Sequence, residues 1–304
     1  MKKAIITGAT GALGTALIRE LIEHDTEVLV LAREGSARNE NIPKDPHVRV
    51  RYCSLDALDT LENDTDTPYD VFYHFAWEGT TGAARNDMYL QNRNVAYALD
   101  AVSAAARMGC HTFVGAGSQA EYGRVEGVLR PDTPTKPETG YGIGKLCAGL
   151  MTREVAHGQG TRHVWVRVLS VFGPCDGEQS MVMSTVRALK NGTIPKLTKG
   201  EQMWDYVYSA DAASAFRLLG ERGVDGKTYV LGGGKARALS DYICEIRDAV
   251  SPNAALIFGE IPYAKKQIMH LEADISALTE DTGWRPQYSF REGLDELLRS
   301  LRER

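Results

Sequence analysis

Residues 4–21, AIITGATGALGTALIREL, decide the fold. A short apolar run, which predicts a buried strand, leads into Gly8, Gly11 and Gly14, and the apolar spacing of an amphipathic helix follows. Glycines at such a junction let the backbone approach a pyrophosphate, which the N–H groups at the start of the helix bind. We therefore predict a dinucleotide cofactor in contact with Gly8, Thr10, Gly11, Ala12, Leu13 and Gly14.

The alternation of short apolar runs and longer helical stretches continues over about the first 170 residues. Six runs predict strands, at residues 3–7, 27–32, 48–52, 70–76, 111–116 and 163–169. Several of them lack polar alternation, as expected for strands that helices cover on both faces. The pattern predicts the α/β class, with a Rossmann-type doubly wound parallel sheet.

After Pro174 the pattern loosens into amphipathic stretches and a strand-like run, KTYVLGGG, at residues 227–234. We predict a dinucleotide-binding domain at residues 1–172, to which strands return from about residues 203–232. A smaller α/β substrate-binding domain is expected at residues 173–304.

The composition excludes several classes of partner. The chain has 304 residues, 43% of them apolar, and a formal net charge of −5. Its 35 Lys and Arg residues form no dense basic cluster, which argues against nucleic acid and anionic membranes, and no apolar run approaches a membrane span. The five cysteines show no CxxC pair or zinc-ligand spacing, so we expect reduced thiols, no metal site and a cytoplasmic protein.

The end of the second predicted strand indicates which nicotinamide cofactor is used. NAD enzymes place an acid on the ribose 2′-hydroxyl about 20 residues beyond the glycines, whereas this chain has Ala32 followed by Arg33. An arginine pairs with the 2′-phosphate of NADP(H) through two hydrogen bonds, and Ser36 or Arg38 is placed to help. We predict NADP(H) as the preferred cofactor, with NAD(H) as the alternative.

A tyrosine and a lysine share one face of a later helix. Tyr141 and Lys145 are four residues apart, so the ammonium is expected near the phenol. A cation there lowers the phenol pKa from about 10 toward neutrality, which suits a general acid or base. Ser118 follows the fifth predicted strand, at the carboxyl edge where open α/β sheets bind ligands.

Two glycines interrupt the first turn of this helix, TGYGIGK at residues 139–145. Each costs up to about 1 kcal/mol relative to alanine inside a helix. Gly142 and Gly144 therefore predict a close approach, either by the cofactor or by a neighbouring helix at a dimer seam.

Five motifs run through most of the chain: the GxxGxxG turn, GSQAEYG (117–123), YGIGK (141–145), VFGP (171–174) and WDYVY (204–208). Together they resemble the extended short-chain dehydrogenase/reductases, in the NAD-dependent epimerase/dehydratase family that modifies nucleotide sugars. The resemblance implies that Ser118, Tyr141 and Lys145 are catalytic. Ser118 is expected to bond the reacting carbonyl oxygen, Tyr141 to supply its proton, and Lys145 to bind the nicotinamide ribose and tune the tyrosine.

The resemblance also implies further contacts. Asn94 matches a family asparagine and is expected to support the active-site backbone. Other cofactor contacts are expected from Arg33, Ser54, Leu55, Phe75, Ala76, Trp77, Tyr141 and Lys145. Substrate contacts are expected from Trp77, Ser118, Gln119, Tyr141, Ser170 and Trp204. Because Ser170 and Trp204 replace a family asparagine and arginine, the substrate phosphates are expected on Lys265, Lys266, Arg237 or Lys196.

Several reactions share this scaffold, and residues after Ser118 help to separate them. Dehydratases of the family carry Asp-Glu there and one group of epimerase-reductases carries a cysteine, whereas this chain has Gln119 and Ala120. We therefore expect an NADP(H)-dependent reductase of a nucleotide-linked 4-keto-6-deoxyhexose. The alternatives are an NAD-dependent nucleotide-sugar 4-epimerase and a catalytically idle cofactor-binding relative. Family members pair through the long helix, here 86–108, and the Tyr141 helix, so a homodimer is expected.

Overall fold

A computed structural model of the protein describes residues 1–302, and its centre is a sheet of seven parallel strands. Numbered in chain order, they are β1 (Lys3–Thr7), β2 (Glu27–Ala32), β3 (Val48–Tyr52), β4 (Val71–His74), β5 (Thr112–Ser118), β6 (Arg162–Val168) and β10 (Thr228–Leu231). They stand in the order β10-β6-β5-β4-β1-β2-β3. The chain therefore winds outward in both directions from β1 and β4, which confirms the α/β class and the Rossmann-type doubly wound sheet.

Helices cover both faces of this sheet: α1 (Ala12–Glu23), α2 (Met88–Arg107), α3 (Gly140–Gly158) and α5 (Ser209–Arg222). Successive residues of a strand point to opposite faces. Ile6 is buried in the core beneath α1 and α5, and Ile5 in the core beneath α2 and α3. The strands therefore need no polar face, which explains their continuous apolar runs. Within residues 1–302, no helix has both the length and the apolar character required to cross a membrane.

The remaining elements lie mostly in the second half of the chain. They are β7 (Ser170–Phe172), α4 (Met181–Lys190), β8 (Met203–Trp204), β9 (Tyr206–Tyr208), β11 (Arg237–Ala238), α6 (Leu239–Val250), α7 (Ser276–Thr282) and α8 (Phe290–Ser300). Strand β7 pairs with β9, and β8 pairs with β11. A separate core around Phe172, Val186, Tyr242 and Leu297 joins β7, α4, α6 and α8.

One strand from residues 203–232 returns to the main sheet. Strand β10 returns to the main sheet beside β6, whereas β8 and β9 pair outside it. Asp205 lies between these two short strands, and its side chain is buried. The division into domains at residues 1–172 and 173–304 stays a prediction.

Two buried aspartates connect this region to the end of the chain. Asp205 accepts hydrogen bonds from the backbone N–H groups of residues 233–234 and of Ala273, at 2.6–3.0 Å. Asp211, in the first turn of α5, accepts the N–H groups of residues 287–288 at 2.8 and 3.0 Å. Burying a carboxylate requires such donors, so these contacts hold distant segments together.

Candidate active site

The glycine turn borders a groove at the carboxyl edge of the sheet. Gly11 is the N-cap of α1, and no side chain caps this helix. A Cβ added to Gly14 would lie 2.4 Å from the Gly8 carbonyl oxygen, and one added to Gly8 would lie 2.5 Å from the Ala76 nitrogen. A Cβ added to Gly11 would meet only the Arg38 guanidinium, at 3.7 Å. The turn is therefore closely packed around Gly8 and Gly14, whereas space remains open beside Gly11. This arrangement fits a bound pyrophosphate.

Beyond the turn, the groove has a volume of about 580 Å³ and passes the end of β2. Arg33 lines it, is exposed, and has no side-chain hydrogen bond or ion pair within residues 1–302. Arg38 reaches across the turn and donates hydrogen bonds to the carbonyl oxygens of Thr10 (3.2 Å) and Cys175 (3.5 Å). The groove is also lined by Ser36, Asn39, Ser54, Leu55 and Asp56.

An adjoining cavity of about 400 Å³ holds the predicted catalytic residues. Ser118 reaches it from the end of β5, and Tyr141 and Lys145 reach it from the first turns of α3. Every residue predicted to contact the cofactor lines this cavity or the groove. The two spaces share Gly8, Gly11, Phe75, Trp77 and Thr80, so they form one continuous site.

The Tyr141 phenol is half-buried. Burial raises its pKa above the ordinary value, while hydrogen bonding by Ser118 and the charge of Arg85 act in the opposite direction. The Arg85 guanidinium lies 4.2 Å from the centre of the phenol ring, and the Lys145 Nζ lies 5.9 Å from it. The pKa shift of the phenol is therefore upward, opposite to the predicted shift toward neutrality, because desolvation dominates; Arg85 is the nearer of the two cations.

Lys145 is almost completely buried, with 3% of its surface exposed. Its Nζ donates a hydrogen bond to the Ala116 carbonyl oxygen at 2.7 Å and lies 3.9 Å from the centre of the Trp77 ring. Burial lowers the pKa of the ammonium to about 7, and the Glu121 carboxylate opposes this shift. Lys145 therefore titrates near neutral pH.

Helix α2 positions the loop that follows β4. The Trp77 indole donates a hydrogen bond to Gln91 Oε1 at 2.7 Å, and its ring meets Tyr141 edge-on. Asn94 accepts the backbone N–H of Glu78 and donates to its carbonyl oxygen, both at 2.9 Å. These contacts match the supporting role expected of Asn94.

The two glycines of TGYGIGK allow close packing within one chain. A Cβ added to Gly142 would lie 2.3 Å from the Ala120 carbonyl oxygen, in the turn after β5. One added to Gly144 would lie 3.3 Å from the Trp77 ring and 3.4 Å from Gln91 Cβ. Within the chain, Gly142 and Gly144 therefore allow α3 to approach the active-site turn, the Trp77 loop and α2.

Three residues predicted to contact substrate lie outside the lining of both cavities: Gln119, Ser170 and Trp204. The Trp204 indole donates a hydrogen bond to the Ser170 hydroxyl at 2.8 Å. The two residues that replace the family's asparagine and arginine thus bond to each other. Trp77, Ser118 and Tyr141 are the predicted substrate residues that the structure brings together at the cavity.

Two of the candidate phosphate-binding cations form ion pairs with carboxylates. Arg237 pairs with Glu245 at 2.6 Å, and Lys266 pairs with Glu138 at 3.4 Å. An anion at either residue must compete with a carboxylate. Lys196 and Lys265 are exposed.

The sequence did not reveal a buried ion pair beneath Ser118. Glu121 and Arg167 are bonded at 2.7 Å, with side chains only 1% and 9% exposed. Glu121 also accepts the Ser118 backbone N–H at 2.8 Å and the Trp165 indole N–H at 3.1 Å. In the sequence, the glutamate lies three residues after a serine, as in a capping box. Its partner Arg167 is 46 residues away in the chain, so no local pattern indicates the ion pair. Other cavity residues that the sequence did not single out are Thr80, Val168, Leu169, Val171 and Asp176.

Known proteins resemble the chain over nearly its whole length. It is 25% identical to CDP-abequose synthase of Salmonella typhimurium, over 98% of this chain and 97% of that one. It is 21% identical to dTDP-4-dehydro-6-deoxyglucose reductase of Escherichia coli, over 98% and 97%. Other relatives include a UDP-glucuronic acid decarboxylase, matched over 99% of this chain, and a dTDP-glucose 4,6-dehydratase, matched over 53% of it.

A solved structure and a family model also match. The UDP-N-acetylglucosamine 4-epimerase of Methanobrevibacter ruminantium, in complex with UDP-N-acetylmuramic acid, superimposes with a TM-score of 0.89 at 22% identity, covering 99% of this chain and 98% of that one. At this identity the likeness establishes the fold. The model of the NAD dependent epimerase/dehydratase family matches residues 4–232.

Proposed function

Because the chain belongs to the NAD dependent epimerase/dehydratase family and is an enzyme of the short-chain dehydrogenase/reductase type, we propose that it reduces the 4-keto group of a nucleotide-linked 4-keto-6-deoxyhexose with NADP(H). The observation that carries the proposal is the meeting of Ser118, Tyr141 and Lys145 at one cavity that opens into the glycine-lined groove. The dTDP-4-dehydro-6-deoxyglucose reductase among the relatives supports this substrate class.

Each catalytic side chain has a separate task in this proposal. The cofactor, when bound, supplies the hydride. The Ser118 hydroxyl donates a hydrogen bond to the carbonyl oxygen, and Tyr141 transfers a proton to it as negative charge develops. Because burial raises the pKa of Tyr141, the phenol carries its proton before the hydride is transferred. The Lys145 ammonium, held by the Ala116 carbonyl oxygen, binds the ribose, and the charge of the nearby Arg85 guanidinium favours the phenolate that remains.

The carboxylates near Ser118 support reduction over elimination of water. Gln119 and Ala120 offer no acid or base. Glu121 is directed into the core, where Arg167 and Trp165 occupy its oxygens. An NAD-dependent 4-epimerase would use the same three residues, so the net consumption of cofactor distinguishes the two reactions.

The first experiment measures NADPH oxidation with a panel of nucleotide-linked 4-keto-6-deoxyhexoses. We expect one mole of NADPH oxidised per mole of reduced sugar. Tyr141→Phe is expected to lower kcat by about 100- to 10,000-fold and to leave the Kd for NADPH within about twofold. Tyr89→Phe, at a tyrosine 83% exposed on α2, is the matched control. Interconversion of 4-hydroxy sugars without net NADPH oxidation would instead establish the epimerase, and full activity of Tyr141→Phe would refute the mechanism.

We propose Arg33 as the residue that selects NADP(H). Its exposed guanidinium at the end of β2 suits a 2′-phosphate, since a charged hydrogen-bonded pair contributes about 1.5–3 kcal/mol. Arg33→Asp is therefore expected to weaken NADPH binding about 10- to 100-fold more than NADH binding. Arg291→Asp, on α8 and outside the groove, makes the same change in net charge as a control. Equal weakening of both cofactors by Arg33→Asp contradicts the assignment.

We also propose a homodimer and a cytoplasmic location. Apolar side chains at Met88, Ile143, Leu150 and Met151 on α2 and α3 are 44–55% exposed, which supports pairing through these helices. Within residues 1–302, Cys53, Cys110, Cys147 and Cys244 form no disulfide, as is usual for a reducing compartment. Light scattering of the purified protein tests the dimer directly; a monomeric mass would refute it.

A further inference from the structure

The Glu121 carboxylate connects the catalytic serine to the neighbouring strand. One oxygen accepts the Ser118 backbone N–H, and the other accepts Arg167 from β6. Arg167 also donates to the Pro131 carbonyl oxygen at 3.1 Å, and its guanidinium lies 4.6 Å from the centre of the Tyr122 ring. The ion pair thereby links the end of β5 to the loop that leads into α3.

Folding stability alone does not explain an ion pair at this position. Removing two charges from water is costly, and well-packed apolar residues of similar volume are often equally stable or more so. The location of the Glu121–Arg167 ion pair, directly behind Ser118, therefore points to a role at the active site.

The turn that contains Glu121 is closely confined. A Cβ added to Gly117 would approach Glu121 Oε1 to 2.5 Å and Trp165 Nε1 to 2.4 Å. On the opposite side, the Ala120 carbonyl oxygen lies against Gly142, next to Tyr141. A displacement of the Glu121 carboxylate must therefore shift Ser118 relative to Tyr141.

We propose that Glu121 is a positioning residue: its buried carboxylate, neutralised by Arg167, holds the Ser118 backbone so that the serine hydroxyl stays beside the Tyr141 phenol. The inference rests on the proposed reduction, in which both hydroxyls act on one carbonyl oxygen. Ser118 Oγ accepts the Ala120 N–H at 3.2 Å, and its own hydrogen is directed toward Tyr141, where the substrate carbonyl oxygen would take the place of the phenol as acceptor.

Two double variants separate this hydrogen bond from the charge. Glu121→Gln with Arg167→Met removes both charges and keeps an oxygen for the Ser118 N–H. Glu121→Leu with Arg167→Met removes that oxygen too, at the same net charge. The comparison is needed because Glu121 also raises the pKa values of Lys145 and Tyr141.

We expect the Leu/Met protein to have a kcat about 10- to 100-fold below that of the Gln/Met protein, with the same Kd for NADPH. Equal kcat values, or a loss of NADPH affinity in parallel with kcat, would overturn the proposal. If the Leu/Met protein does not fold, Glu121→Asp provides the comparison with wild type, because it keeps the charge and withdraws the carboxylate by one methylene. A wild-type kcat in Glu121→Asp would then overturn the proposal.

A readout without substrate keeps this inference separate from the proposed function. Crystal structures of the two double variants give the distance between Ser118 Oγ and the Tyr141 hydroxyl. We expect a longer distance in the Leu/Met protein than in the Gln/Met protein, and equal distances would overturn the proposal. If wild type reduces no ketosugar, the proposed function fails, while this distance still decides the positioning role.

Discussion

Gly142→Ala tests how the active-site turn packs against α3. The added Cβ would lie 2.3 Å from the Ala120 carbonyl oxygen and 2.9 Å from its carbonyl carbon. Ordinary van der Waals contact begins at 3.4 Å, so the helix and the turn must separate by about 1.1 Å at this point. Neither side can relieve the overlap by rotating a side chain, because the Ala120 atoms belong to the backbone.

The expected effect on stability is the difference of two opposing contributions. Alanine is favoured over glycine in a helix by up to about 1 kcal/mol, whereas forcing a methyl group into a closed contact costs about 1–3 kcal/mol. We expect Gly142→Ala to lower the free energy of unfolding by about 1–2 kcal/mol. The effect on activity should be larger, since a displacement of about 1 Å between catalytic groups reduces a rate by up to about 100-fold.

The assay compares this variant with Gly158→Ala at the end of the same helix, where no atom lies within 4 Å of the added Cβ. Urea denaturation gives the free energy of unfolding, and initial rates with NADPH and the ketosugar give kcat. We expect Gly158→Ala to keep wild-type kcat and wild-type or greater stability. A Gly142→Ala protein with unchanged kcat and unchanged stability would refute the packing argument.

Two further predictions follow from buried titratable groups. Burial lowers the pKa of His74 to about 3 and that of His163 to about 4, so the unfolded chain binds more protons, and stability falls as pH decreases below about 6.5 toward these values. His163→Phe should reduce the slope of unfolding free energy against pH by about 1.4 kcal/mol per unit between about pH 6 and 4.5, measured by urea titration; an unchanged slope contradicts this. Because the pKa of Lys145 is about 7, the ammonium is lost as pH rises through neutrality, and NADPH affinity should fall there in wild type more steeply than in Lys145→Met. Fluorescence titrations with NADPH from about pH 6 to 8.5 test this. Parallel pH profiles of NADPH affinity in wild type and Lys145→Met would exclude a role of the Lys145 ammonium in NADPH binding.

The main sheet was predictable because each parallel strand is a short apolar run followed by a turn and a helix. β8, β9 and β11 were not, since two or three residues carry no readable period. Asp205, between β8 and β9, accepts hydrogen bonds from backbone donors that lie 28–68 residues away in the chain. Tertiary contacts over such distances leave no local pattern in the sequence.

The meeting of the three proposed catalytic residues at one cavity was predictable for a different reason. Tyr141 and Lys145 are four residues apart on one predicted helix, and Ser118 follows a predicted strand at the carboxyl edge of the sheet. Both patterns are visible in the sequence. The direction of the Tyr141 pKa shift was not predictable, because it depends on burial and on Arg85, which approaches from another segment. The bond between Ser170 and Trp204 was hidden for the same reason.

The aspartates of WDYVYSAD limit where the chain can be cut. Within residues 1–302, the backbone donors to Asp205 and Asp211 all come from residues 233–288, beyond the end of the family match at residue 232. A fragment ending at residue 232 would lose five donors to two carboxylates. Expression fragments, and chimaeras that exchange the C-terminal segment with a relative, must therefore carry these aspartates and their donors together.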